Sequence, residues 1–450
     1  MTARRRSCRP RLEALEGRDT PANLTVTFSA LTHTLTIVGD SSNNALTVQG
    51  DAADPTRFHL SSTTDTFNHS PGPLDTPGGV RNIAVWLLDG DDHVTFDNAV
   101  PIDLRGSLSV NGGNGANSVV TTDLKVEKNF SITNGTNASG SDINTIDNVT
   151  VGGSLTINNG AGDTAMDIRR DTAGVSAVGG SLSITNGPGT DSNIIADLNV
   201  GGSVTVNNGR ANPQTGSAGY TVIGNQIHND FRSQIRGNVS VSYLDGNVNG
   251  SDGIFDADID GNVTFNHGTG SAVTRFDGYA TSLPVVIRGS LTFKGSGANT
   301  VSVGKAFDYT GLVVGKNLTV TTGAAADTLV FNQLEVGGAT RLSLGDGGNA
   351  VAIDDSLFAG AFTLTTGAGN DQVSLDATAS GAEPTTFGGP VLIAQGAGDD
   401  QVVRAGPDAP EELIVLSTFV IHHGTGAGDS TTATPGHEIF PFGTSIQYVV

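Results

Sequence analysis

This chain has almost none of what a helical or disulfide-built protein needs. Its single cysteine, Cys8, cannot form an intramolecular disulfide. Lysine occurs only at positions 125, 128, 294, 305 and 316, and Asp greatly outnumbers Glu. Glu and Lys favour helix interiors while Asp favours caps and turns, so this imbalance argues against helices. No run approaches the ~18 apolar residues of a membrane-spanning helix. Cys8 follows three arginines with no apolar stretch before it, which argues against a lipid-acylation site. Basic clusters are absent beyond residue 22: the formal charge is −22 although residues 1–22 hold six arginines against Glu13, Glu16 and Asp19. So acidic a body repels nucleic acid and anionic membranes, which are bound chiefly through Lys and Arg. A cationic partner suits it better, calcium foremost; acidity that merely keeps a repetitive β protein soluble is the competing reading.

What the chain has in abundance is glycine, 62 residues, each costing about 1 kcal/mol against Ala inside a helix. Together with the excess of Asp, this predicts an all-β protein rich in corners. Residues 360–375, GAFTLTTGAGNDQVSL, show the unit. Phe362 and Leu364 alternate with Thr363 and Thr365, a strand with one buried face. A Gly-Asx corner follows, and then a second short strand carrying Val373 and Leu375.

Looser copies of the unit fill residues 81–429. Their anchor is Gly or Lys, then Ser or Asn, then a Leu-Thr-Val-like trio, as in GSLSV at 106–110, GSLTI at 153–157, GNVTF at 261–265 and KNLTV at 316–320. From one anchor to the next the step is 20 to 29 residues, with one of 35 between Val204 and Val239. Hexapeptide β-helices need a shorter, steadier period and propeller blades a longer one. The spacing predicts a parallel β-helix of about 13 coils, three short strands per coil, right-handed by the usual hand of parallel crossovers. In the coil beginning at Ser154 the strands are expected at 155–157, 165–168 and 175–178. Strand candidates at 24–28, 34–38, 45–48 and 57–60 are spaced too tightly for a coil and read as an N-terminal β cap over residues 23–80. Residues 430–450 lose the repeat and read as a C-terminal cap.

Residues 1–22, MTARRRSCRPRLEALEGRDTPA, lack the apolar core of a secretory signal. Leu12, Glu13, Leu15, Glu16, Arg18, Pro21 and Ala22 nevertheless match L-E-x-L-E-x-R-x-x-P-[AS]. This resembles the leader of large, repetitive, exported surface proteins of planctomycete bacteria. The resemblance covers about 14 residues and implies export to the cell envelope or beyond; it carries no activity.

Three constellations are candidates for chemistry. The pattern G-x-G-x-[DN]-x-[VIL] fits residues 113–119, 295–301, 345–351, 367–373 and 396–402, with Asn117, Asn299, Asn349, Asp371 and Asp400 in the Asx place. It is similar to half of the calcium-binding nonapeptide repeat of bacterial toxins; with Asp371 and Asp400 in equivalent corners of adjacent coils, like charges would lie about 4.8 Å apart, and Asp371, Asp399 and Asp400 could supply carboxylates to a bridging calcium. A second acidic corner holds Asp89, Asp91 and Asp92. Here, however, one corner falls in each coil and Asn often replaces Asp, and a column of Asx turns explains the pattern without an ion. The second constellation is the irregular segment 210–233, which gathers Tyr220, His228, Asp230 and Arg232 and reads as a surface loop able to bind a ligand. The third is enzymatic: some parallel β-helices cleave polysaccharides, and His267-Gly268, His423-Gly424 and Asp399-Asp400 are fragments of such a site. His-Gly at these places matches Asn134-Gly135 and Asn159-Gly160 in sister coils, so turn formation accounts for it better. The expectation is an exported, non-catalytic, structural or adhesive envelope protein. Its alternatives are a β-helix that binds or cleaves polysaccharide and a calcium-dependent surface repeat protein. Envelope polysaccharide or other surface proteins are the expected partners.

Overall fold

The computed structural model describes residues 22–97, 99–138, 140–170, 176–224, 231–248, 252–278, 283–304, 310–377, 383–405, 413–434, 437–440 and 446–449. The leader, residues 1–21, lies outside them. Among the described residues there is no helix, and the strands stack into three long sheets running the length of the body. This is the parallel β-helix that the repeat predicts. In the coil begun by Ser154 the three strands are Leu155–Asn158, Asp163–Arg169 and Ser176–Val178, one in each sheet.

The anchor trio forms the first sheet. Leu155 pairs with Phe130 in the preceding coil and Leu182 in the next, and Ile157 with Ile132 and Ile184. All six are fully buried. Inward side chains thus stack on like side chains, each contributing about 1.5–3 kcal/mol of burial. Phe358, Phe362 and Phe387 interlock further along, with ring centroids 5.0 to 5.1 Å apart.

The third sheet holds fourteen strands, one more than the anchors count, because the first coil starts at Asn82–Trp86 with no Gly-Ser before it. The 23–80 segment contains antiparallel hairpins. Asn23–Ser29 pairs with Thr34–Val38, and Ala45–Gly50 with Phe58–Ser61. Two of these strands run on in parallel to the first coil, so Leu35, Ile37, Leu46 and Val48 belong to the common core. At the other end, residues 430–449 supply a strand to each sheet, so the tail prolongs the coil rather than departing from it.

Two corners explain the glycine and the variable step. Between the first and second sheets the backbones of successive coils nearly touch: a Cβ on Gly160 would lie 1.8 Å from the carbonyl oxygen of Gly135. Between the second and third sheets one residue in the left-handed region makes the turn, Asp123, Asn148, Asp197, Asp256, Asp355 and Asp376 among them, with φ of 41° to 53°. Asp and Asn tolerate that conformation best after Gly. The number of residues between strands varies at both corners, eight separating Asn208 from Ser217 where four separate Asn158 from Asp163, so the period stretches without disturbing the stack.

Candidate functional site

Three polar ladders run along the solenoid and account for most of the residues singled out above. The first lies outside, at the Ser or Asn of each anchor. Asn129 Oδ1 accepts from the backbone N–H of Ser154, Ser154 Oγ from Ser181, Ser181 Oγ from Ser203 and Ser203 Oγ from Asn238. Asn238 and Asn262 continue it at 2.8 and 2.9 Å. The Gly-[SN] signature is therefore a stitch from each coil to the next.

The second ladder is the Asx corner, and it points the other way. Asp92 Oδ1 accepts from the backbone of Asn44 (2.7 Å), Asp142 from Asn117 (2.9 Å), Asp371 from Asn349 (2.8 Å), Asp400 from Asp371 (2.9 Å) and Asp429 from Asp400 (2.9 Å). The corner side chains thus cap the neighbouring coil, where Asx turns would have each cap its own backbone. The asparagines also donate to carbonyls of their own corner: Asn117 Nδ2 to those of Gly113 and Gly115, and Asn349 Nδ2 to those of Gly345 and Gly347. In the register of Asn117 stands Asp92, and in that of Asn349 stands Asp371, followed by Asp400. A carboxylate has no N–H to offer those carbonyls. Accordingly the buried Oδ2 atoms of Asp92, Asp371 and Asp400 have no hydrogen-bond partner. Burial, reinforced by the charges of Asp65, Asp40 and Asp91, pushes the Asp92 carboxyl up to about 7. Burial likewise raises Asp142 to about 6, Asp191 to about 8, and Asp400 above the usual carboxylate range.

The other proposed calcium ligands face outward and are already bonded. Asp89 Oδ1 accepts from Asn114 Nδ2 (2.8 Å), Asp91 Oδ1 from the Ala116 N–H (2.8 Å) and Asp399 Oδ1 from the Gly428 N–H (2.9 Å). Among the described residues, no group of three or more His, Cys, Asp or Glu side chains is gathered as a metal ion requires.

The third ladder is internal, and the sequence reading missed it. Along the core Asn134 donates its amide to Asn159, Asn159 to Asn186 and Asn186 to Asn208, at 2.8 to 3.0 Å. Asn144 and Asn193, from the second sheet, join from across the corner. Tyr243 and then His267 occupy the next two places in the same column. His267 is indeed the sister of the Asn-Gly asparagines, but it is buried and stacked on Tyr243 with ring centroids 5.0 Å apart. The Tyr243 hydroxyl donates to Asp252 Oδ1 (2.6 Å) and lies 2.9 Å from Thr221 Oγ1. Burial holds His267 down to about 3 and lifts Asp252 to about 7, so neither is charged in the core at mildly acidic pH. The signal available in sequence was Asn before Gly in coil after coil, read there as a turn.

Within the 210–233 segment, residues 217–224 form a strand rather than a loop. Tyr220 lies in the strand Ser217–Gly224 of the second sheet, half-buried opposite Ser192. Local composition hid this strand, since its pairing partners are supplied by other coils. Arg232 sits before the third-sheet strand Ser233–Ile235, paired with Asp258 at 2.7 Å and bonded to the carbonyl of Pro284 at 2.7 Å. Its guanidinium is thus engaged in holding neighbouring coils together. His228 and Asp230 lie outside the described residues.

No protein-family model, curated protein or solved structure matches the chain.

Proposed function

We propose that this chain is an exported, non-catalytic structural or adhesive component of a cell envelope. The observation that carries the reading is the fate of its polar side chains. Asp, Asn and Ser, which in an enzyme would converge on a cleft, run here as ladders from coil to coil. His267, Tyr243 and Asp252, the nearest approach to an acid-base set, are sealed in the core at 0 to 2% exposure. Such ladders make a stiff rod with every coil tied to the next, as a surface scaffold or adhesin requires. The leader supports export through its resemblance alone. The test is cell fractionation of the full chain beside a variant lacking residues 1–22. The full chain is expected with the envelope or medium and the truncated one in the cytosol; cytosolic residence of both would end the reading.

A further inference from the structure

The outward face of the first sheet differs from the rest of this acidic protein. In every strand from Leu108–Gly113 to Phe362–Thr365, the two positions that alternate with the core residues point outward. They align in register into two columns, exemplified by Thr156, Ser183 and Thr205 in one and Asn158, Thr185 and Asn207 in the other. Apart from Lys294 and Arg341, each of these residues is Ser, Thr or Asn, and none is acidic. A chain of formal charge −22 thus keeps carboxylates off the outward face of these strands. Few of the face's side chains bond to one another, Ser242 with Asn207 and Thr365 with Ser343 being such pairs. At the N-terminal end of the second column stands Trp86, the only tryptophan of the chain, 51% exposed and in register with Asn111.

We infer that this face binds a neutral, unbranched polysaccharide laid along the solenoid axis. The inference rests on the envelope reading above and supplies its partner. Hydroxyl and amide groups both donate and accept, as sugar hydroxyls do, so each can pair with the other in either sense. They recur at the coil rise of about 4.8 Å, a spacing comparable to one sugar ring, so a regular polymer meets the same groups repeatedly. Many weak contacts in register then add along one chain. Trp86 offers a flat apolar platform on which a sugar ring can stack. Charge selects the class of polymer: the acidic body repels uronic-acid chains, and the face has only Lys294 and Arg341 to attract them.

The test is affinity electrophoresis of the full chain through gels containing soluble β-glucan, mannan, xylan or, as the anionic control, polygalacturonate. Retardation by at least one neutral polymer is expected. Trp86→Ala and Thr205→Glu should each weaken it about tenfold, whereas Thr300→Glu, on the outward face of the second sheet, should leave it intact. Thr205→Val, which keeps the shape of the side chain, covers the case in which a new carboxylate disturbs folding and should also weaken retardation. Three results would overturn the inference: no retardation by any neutral polymer, retardation only by polygalacturonate, or retardation unchanged by Trp86→Ala and Thr205→Val. Fractionation with the envelope but no polymer binding would defeat this inference alone; cytosolic residence would defeat the envelope reading instead.

Discussion

Replacing Asp92 by Asn should make the protein more stable, and more so at higher pH. Asp92 is 2% exposed; its Oδ1 caps Asn44 and its Oδ2 has no partner. One coil on, Asn117 fills the same place and its amide reaches two backbone carbonyls, at 3.0 and 3.2 Å. The corresponding carbonyls in the corner of Asp92 are those of Leu88 and Gly90, by the bridge of Asp89 to Asn114. An amide at 92 keeps the Oδ1 acceptor and adds two donors, each worth about 0.5–1.5 kcal/mol net, for a gain of about 1–3 kcal/mol. Near pH 8 the wild-type carboxyl, with its pKa about 7, is mostly ionised and faces those oxygens without a proton. Near pH 5 it holds a proton and can donate, so the gain should fall to about 1 kcal/mol or less. Urea unfolding followed by circular dichroism, at both pH values and with either EDTA or millimolar calcium, reads the difference. A destabilised Asp92→Asn protein, or a gain independent of pH, would refute the idea that this corner lacks a donor. Calcium-specific stabilisation of the wild type that vanishes in the variant would replace the proton with an ion.

The buried carboxyls of Asp142, Asp92, Asp252 and Asp191, raised to about 6, 7, 7 and 8, bind protons more tightly folded than unfolded. Their contribution is full below the unfolded value of ~3.9 and is lost as pH rises to about 8, so urea midpoints should decline across that window. A rise instead would contradict these assignments. Asn186→Ala strips a donor or acceptor partner from Asn159, Asn193 and Asn208 in the core and should cost about 2–5 kcal/mol in the same assay. Asn262→Ala removes an exposed cap on the Ser290 N–H and should cost only about 0.5–1 kcal/mol, a contrast that separates inner from outer ladder. Phe362→Ala, which opens the packed trio with Phe358 and Phe387, should cost about 3–5 kcal/mol.

The architecture was legible because a solenoid is built from local repetition. Period-two alternation after each Gly-[SN] anchor and a step near 25 residues were enough to name a three-strand coil, since every coil solves the same burial problem as its neighbours. What residues between anchors do was not legible, because their partners lie one coil away, 22 to 35 residues along the chain. Asn134 before Gly135 has the sequence of a turn, yet stacking places its amide on Asn159 inside the core. Tyr220 and Arg232 are near in sequence, yet the coil sends one to the second sheet and the other to the edge of the third. Alternation alone determined which side chains face inward. Only the register between coils decided which carboxylates would be buried without a donor, which amides would form a core ladder, and which hydroxyls and amides would align into one outer face free of carboxylates, because those outcomes depend on what lies directly above and below each residue.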